Sequence, residues 1–120
     1  MQPTHIIANL SVPDLDRARD FYQGYLGLTP DDMGLDWVTR FRLPGGSSAI
    51  QLVTRDATAP VDSVLSVAVG DQVQEAYEEA VRRGYEIVHP LTTEAWGPQR
   101  FFVRAPDGNV INIVGHKDPG

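Results

Sequence analysis

The stretch that decides the fold is residues 6–27, IIANLSVPDLDRARDFYQGYLG. Ile6, Ala8, Leu10 and Val12 alternate with His5, Ile7, Asn9 and Ser11, which is the period of a half-buried strand beginning near Thr4. Pro13 breaks that strand and Asp14 offers a side-chain cap. Leu15, Ala18, Phe21, Tyr22 and Tyr25 then recur at helical spacing as far as Gly27, a natural stop. The spacing predicts a helix over Leu15 to Tyr25.

Residues 64–84, VLSVAVGDQVQEAYEEAVRRG, repeat the same grammar. Val64 to Val69 alternate, Gly70-Asp71 interrupts, and Asp71 with Gln74 has the form of a capping box. Val73, Ala76, Tyr77, Ala80 and Val81 form the apolar stripe of a helix predicted over Gln72 to Arg83, ending at Gly84. Thirteen residues separate Asp14 from Gly27 and Asp71 from Gly84, so the two copies are offset by 57.

Short strands follow each helix. In the first half they are Leu35 to Leu43 and Ser48 to Thr54 around the turn Pro44-Gly45-Gly46, with Thr29 to Gly34 read as a loop. In the second they are Tyr85 to Val88, Arg100 to Arg104 and Val110 to Val114, with a long loop from Pro90 to Gln99 and a hairpin turn at Pro106-Asp107-Gly108-Asn109. The expected class is α+β: two βαβββ repeats, about 4–55 and 62–115, forming curved mixed sheets around a cavity in a single domain of residues 1–120. Arg55 to Asp62 reads as the linker, and the tail after Val114 is expected to fray. Ile6, Leu10, Phe21, Leu65, Val67, Tyr77, Ile111 and Ile113 are expected to face the helices, with Phe41 and Leu43 buried.

Composition narrows the function. The chain has 120 residues, ten basic and sixteen acidic side chains, a net charge of −6 and no cysteine. That excludes disulfides, thiolate metal sites and cysteine nucleophiles. The acidic balance argues against nucleic-acid and membrane partners, because phosphate binding needs clustered Lys and Arg, and it weakly favours a cationic over an anionic ligand. The opening MQPTHIIANLSV has no basic leader segment, so a cytoplasmic location is expected.

Val12-Pro13-Asp14-Leu15, Phe21-Tyr22 and Leu26-Gly27 in the first half carry a resemblance, together with Trp96-Gly97, Phe101-Phe102-Val103, Pro106-Asp107-Gly108-Asn109 and Ile111-Asn112-Ile113 in the second. The chain resembles the vicinal oxygen chelate superfamily of glyoxalase I, extradiol dioxygenases, fosfomycin-resistance enzymes and bleomycin-binding resistance proteins. Ala105 departs from the acidic residue usual before the Pro-Asp-Gly turn. The resemblance implies a divalent metal held at positions corresponding to Ile7, Gln51, Val64 and Asn112. Two of those residues have no donor atom and two are neutral amides, so no metal and no cofactor are expected. His5 is the one histidine that could rebuild a displaced site; His89, before Pro90, and His116 read as surface residues.

No phosphate-binding glycine loop or Gly-x-Ser-x-Gly elbow occurs; Gly45-Gly46-Ser47-Ser48 reads as a hairpin. The candidate ligand-binding residues are Ile7, Asn9, Trp37, Gln51, Val64, Ser66, Trp96, Arg100 and Asn112. Trp96 offers a stacking surface, Gln51 and Asn112 are amides between apolar neighbours that need partners, and Arg100 is either a surface charge or an anion clamp. The expected function is metal-independent binding of an aromatic or amphipathic small molecule, similar to antibiotic-sequestering resistance proteins of the bleomycin type, with a homodimer implied by the resemblance. The alternative is a glyoxalase-like lyase or isomerase, or a dioxygenase-type enzyme, with a non-standard metal site or a metal-free one.

Overall fold

A computed structural model describes residues 1–31, 33–46 and 48–116. Asp32 of the expected loop, Ser47 of the hairpin and residues 117–120 of the expected tail lie outside the described residues. The chain forms two compact units, an N-terminal one of residues 7–59 and a C-terminal one of residues 60–120 with residues 1–6. The boundary falls within the Arg55 to Asp62 segment.

In the N-terminal unit, β1 (His5–Ser11) leads to helix α1 (Leu15–Arg19), which widens into a π-helical stretch over Asp20–Tyr25. Asp14 caps α1 as its composition demands, one carboxylate oxygen accepting from the Asp16 and Arg17 amides at 2.8 and 3.2 Å. Gly27 stops the helix with φ +73°. Three strands follow: β2 (Thr29–Asp31), β3 (Val38–Arg42) and β4 (Ala49–Val53). β2 and β3 run antiparallel, as do β3 and β4, while β4 lies parallel to β1 with Ala8 opposite Ile50 and Asn9 opposite Gln51. The strand β2 replaces the expected loop at Thr29 to Gly34. It is three residues long, too short for alternation to reveal.

Phe41 is buried and its ring lies 6.2 Å from that of Tyr22, so Thr39 and Phe41 face the helical segment. Val38, Arg40 and Arg42 therefore point to the other face. Leu43, expected in the core, is half exposed because the Pro44-Gly45-Gly46 turn has already ended β3 at Arg42. Ile6, Leu10 and Phe21 were also expected to face the helix, yet Ile6 is 64% and Phe21 51% exposed. The reason is the helix: five α residues followed by wide π turns bury none of their own side chains, so the stripe drawn at α spacing does not form.

The C-terminal unit packs better. Its strand order is β5 (Leu65–Ala68), β8 (Val110–Gly115), β7 (Gln99–Arg104), β6 (Ile87–Thr93), with β5 and β8 parallel and the rest antiparallel. Helix α2 (Val73–Arg82) buries Val73, Ala76 and Ala80 against Val69, Phe101 and Ile113, and Tyr77 meets the Phe101 ring edge-on at 5.2 Å. Val67 and Ile111 border this cluster as expected, while Leu65 is only half-buried. Each fully buried aliphatic or aromatic side chain here contributes roughly 1.5–3 kcal/mol. The expected Asp71–Gln74 capping box does not form. The Gly70-Asp71 turn closes from the Gln72 amide onto the Val69 carbonyl at 3.1 Å, making Gln72 the cap residue without a side-chain hydrogen bond.

Two further readings are corrected at β6. The strand runs from Ile87 to Thr93, through His89 and Pro90, where Tyr85 to Val88 and then a loop were expected. β6 is an edge strand of this unit, so proline costs no ladder bond there, and the pairing slips on either side of His89.

Candidate functional site

Because Phe101 and Ile113 face α2, their neighbours Arg100, Phe102 and Asn112 face the opposite side of the C-terminal sheet. That helix-free side is rich in buried polar groups. Ser66, His89, Glu94, Arg100 and Asn112 are each at least nine-tenths buried. Arg100 Nη2 meets Glu94 Oε2 at 3.1 Å, and His89 Nε2 lies 3.4 Å from Glu94 Oε1. The Arg100 guanidinium also lies over two rings, 5.1 Å from the Trp96 centroid and 4.9 Å from that of Phe102, while His89 packs edge-on against Phe102. Stacking of this kind favours Arg over Lys, because a planar guanidinium can lie flat on a ring and still donate at its edge.

One register row further along, Phe102 pairs with Asn112 and Asn112 with Ser66. Asn112 Nδ2 donates to Ser66 Oγ at 3.0 Å, and Asn112 Oδ1 is buried with no hydrogen-bond partner among the described residues. Four of the sequence candidates, Ser66, Trp96, Arg100 and Asn112, thus share one face. Trp96 is half-buried in the tight turn between β6 and β7, not in a long loop. Arg100 is a buried, ion-paired charge, and His89 is buried where a surface position was expected. The pairing of β6 with β7, invisible in the sequence, is what brings His89 and Glu94 to Arg100.

The N-terminal unit repeats the motif. Gln51 Nε2 donates to Asn9 Oδ1 at 2.8 Å across β4 and β1, and Gln51 Oε1 accepts from Arg40 Nη2 at 3.1 Å across β4 and β3. Arg40, absent from the sequence candidates, is half-buried, with its Nε buried and without a partner among the described residues. The β3–β4 register, which puts Arg40 opposite Gln51, brings it into this row, and no local sequence pattern signals it. Ile7 is half-buried two residues before Asn9, Trp37 lies just before β3 with its carbonyl held by the Thr54 amide, and Val64 is 44% exposed just before β5. Ile7 and Val64 have apolar side chains and add no hydrogen-bonding group to the two polar rows. A cleft of about 500 Å³ lies on the helix side of this unit, walled by Leu15, Pro30 and Leu35 with Asp14, Asp16 and Asp36. It contains none of the sequence candidates.

The positions at which the resemblance implies metal ligands do not suit a divalent cation. Ile7 and Val64 lack donors. The Gln51 oxygen is turned onto a guanidinium, and a metal ligated there would sit against that positive charge. Asn112 offers one neutral oxygen, too weak a donor to offset a divalent charge alone.

No curated protein matches the chain by sequence. Among solved structures, one described as an NAD-dependent benzaldehyde dehydrogenase from Legionella pneumophila is 20% identical, with 94% of this chain and 100% of that one covered and a TM-score of 0.75. A glyoxalase/bleomycin resistance protein/dioxygenase superfamily member from Vibrio splendidus is 15% identical over 92% and 97%, with a TM-score of 0.67. An uncharacterised protein from Methanosarcina mazei is 21% identical over 100% and 98%, with a TM-score of 0.66. At these identities the likeness is one of fold. The family model for the glyoxalase/bleomycin resistance protein/dioxygenase superfamily matches residues 3–113, and by that match over almost its whole length the chain belongs to this superfamily.

Proposed function

We propose that this superfamily member is a small-molecule-binding protein that holds its ligand without a metal, in the manner of the antibiotic-sequestering resistance proteins, and that it acts as a cytoplasmic homodimer. The observation that carries the reading is the pair of polar rows on helix-free faces. At corresponding places in the two repeats an amide is locked to a first-strand side chain, Gln51 to Asn9 and Asn112 to Ser66. Buried amides cost free energy unless their hydrogen bonds are completed, and Asn112 Oδ1 still has an acceptor site to offer. Trp96 and Phe102, already stacked on Arg100, give an aromatic or amphipathic ligand its apolar contact.

Native mass spectrometry of the protein purified without chelator tests this. The expected spectrum contains a non-covalent organic adduct, or gains one on incubation with a library of planar ligands. Stoichiometric zinc, nickel, manganese or iron in place of it would overturn the reading.

One observation favours the enzymatic alternative. His89 and Glu94 form a buried imidazole–carboxylate pair beside an aromatic ring, the arrangement that orients a general base. Turnover of a carbonyl substrate that is abolished by His89→Gln without loss of fold would establish it.

A further inference from the structure

Four arginines lie on the strands, and three of them face a carboxylate. Arg42 is held by Asp31 at 2.7 Å, Arg100 by Glu94 at 3.1 Å and Arg104 by Glu86 at 3.0 Å. Arg40 alone among them has no carboxylate in ion-pair reach among the described residues. Asp31 is its cross-strand neighbour but is turned to Arg42. Among the described residues the Arg40 guanidinium donates to the neutral Gln51 oxygen, and its Nε is buried with no hydrogen-bond partner there. Leaving a half-buried cation uncompensated is costly, because desolvation is paid with no opposing charge.

The arrangement around it is fixed. Gln51 cannot rotate its amide toward Arg40 as a donor, since its Nε2 is committed to Asn9 at 2.8 Å. The row Asn9–Gln51–Arg40 therefore keeps the guanidinium on the helix-free face. Of its five N–H donors, one meets Gln51 and one is the buried Nε, leaving the outer edge of the planar fork. That edge matches a carboxylate or phosphate bidentately. Gln51 is also a position where the resemblance implies a metal ligand, and a metal does not fit beside this charge.

We propose that Arg40 replaces the metal as the cationic anchor of this site and makes it selective for ligands bearing an oxyanion, with a planar carboxylate as the simplest fit. The proposal rests on the helix-free face being the ligand face. The net charge of −6 repels anions at long range, but salt screens that field within about 10 Å at 0.1 M, while contact with a desolvated guanidinium persists.

The test titrates the protein at constant ionic strength with benzoate, with inorganic phosphate and with benzamide, the neutral counterpart of benzoate. Binding is followed by the ¹⁵Nε–Hε resonance of Arg40 and the side-chain amide resonances of Gln51 and Asn112. Benzoate should move the Arg40 resonance saturably and bind at least tenfold more tightly than benzamide. Arg40→Gln should abolish that preference, and Arg40→Lys should keep part of it, which separates loss of charge from loss of fold. A phosphate response equal to that of benzoate would support oxyanion recognition without preference for a planar group. Equal binding of benzoate and benzamide, an undiminished preference in Arg40→Gln, or an Arg40 resonance that none of the probes moves would overturn the proposal. If benzamide moves the amide resonances while Arg40 stays still, the ligand face stands and only the anion anchor fails; if nothing moves on either row, both fail.

Discussion

Gln51 and Asn9 are joined side chain to side chain across the parallel pair β4–β1, and Asn112 and Ser66 are joined the same way across β8–β5. The polar partner on the first strand lies 57 residues on in the second copy, the same offset that separates the helix-ending glycines Gly27 and Gly84. The repeat thus extends from the local grammar of cap and stop into the chemistry of the sheet face.

Removing the Gln51 amide should cost stability through its neighbours. In Gln51→Leu the Arg40 Nη2 and the Asn9 Oδ1 lose these partners in a half-buried setting, and about 1–3 kcal/mol is expected in urea denaturation. Adding Arg40→Met should cost less than the sum of the single changes, because the stranded donor is gone. Strict additivity would mean that the two side chains do not interact in solution.

The Glu94–Arg100 pair makes an asymmetric prediction. Glu94→Ala leaves the buried Arg100 side chain without this carboxylate and should destabilise by about 3–5 kcal/mol. Glu94→Leu combined with Arg100→Met should recover most of that loss. Chemical denaturation of the three proteins measures both, and a single-variant loss under about 1 kcal/mol, the scale of an exposed pair, would show that water reaches the pair.

Trp96 should report ligand binding. In a Trp37→Phe background its fluorescence should change on saturation with a planar ligand. Trp96→Ala should weaken that ligand by roughly 1–3 kcal/mol, the scale of a lost aromatic contact. Unchanged affinity with a lowered melting temperature would make Trp96 a packing residue over Arg100.

Gly115 is required by packing. A Cβ there would collide with the carbonyl oxygen of Gly70, the group that also accepts from the His116 amide at 3.0 Å. Gly115→Ala should cost on the order of 1–3 kcal/mol, as overpacking does. Gly108→Ala meets no atom within 4 Å and tests backbone strain alone at φ +94°. If the Gly115 variant is the milder of the two in thermal unfolding, the close approach of these backbones is relieved in solution.

What the sequence by itself determined was the repeat, the α+β class and the points where helices begin and end. Asp14, Gly27, Gly70 and Gly84 act on their immediate neighbours, through a capping carboxylate or a positive φ, so the letters alone carry the information. The amides Gln51 and Asn112 were also legible, because a polar residue between apolar ones on a strand must find a partner. Only the tertiary structure decided which partner. Arg40 reaches Gln51 because the β3–β4 hairpin closes in one register, and His89 and Glu94 reach Arg100 because an edge strand continues through Pro90 where the sequence suggests a break. Register is set by the summed pairing and packing of whole strands, and a shift of one residue turns every side chain to the other face, so no local pattern encodes which charges meet.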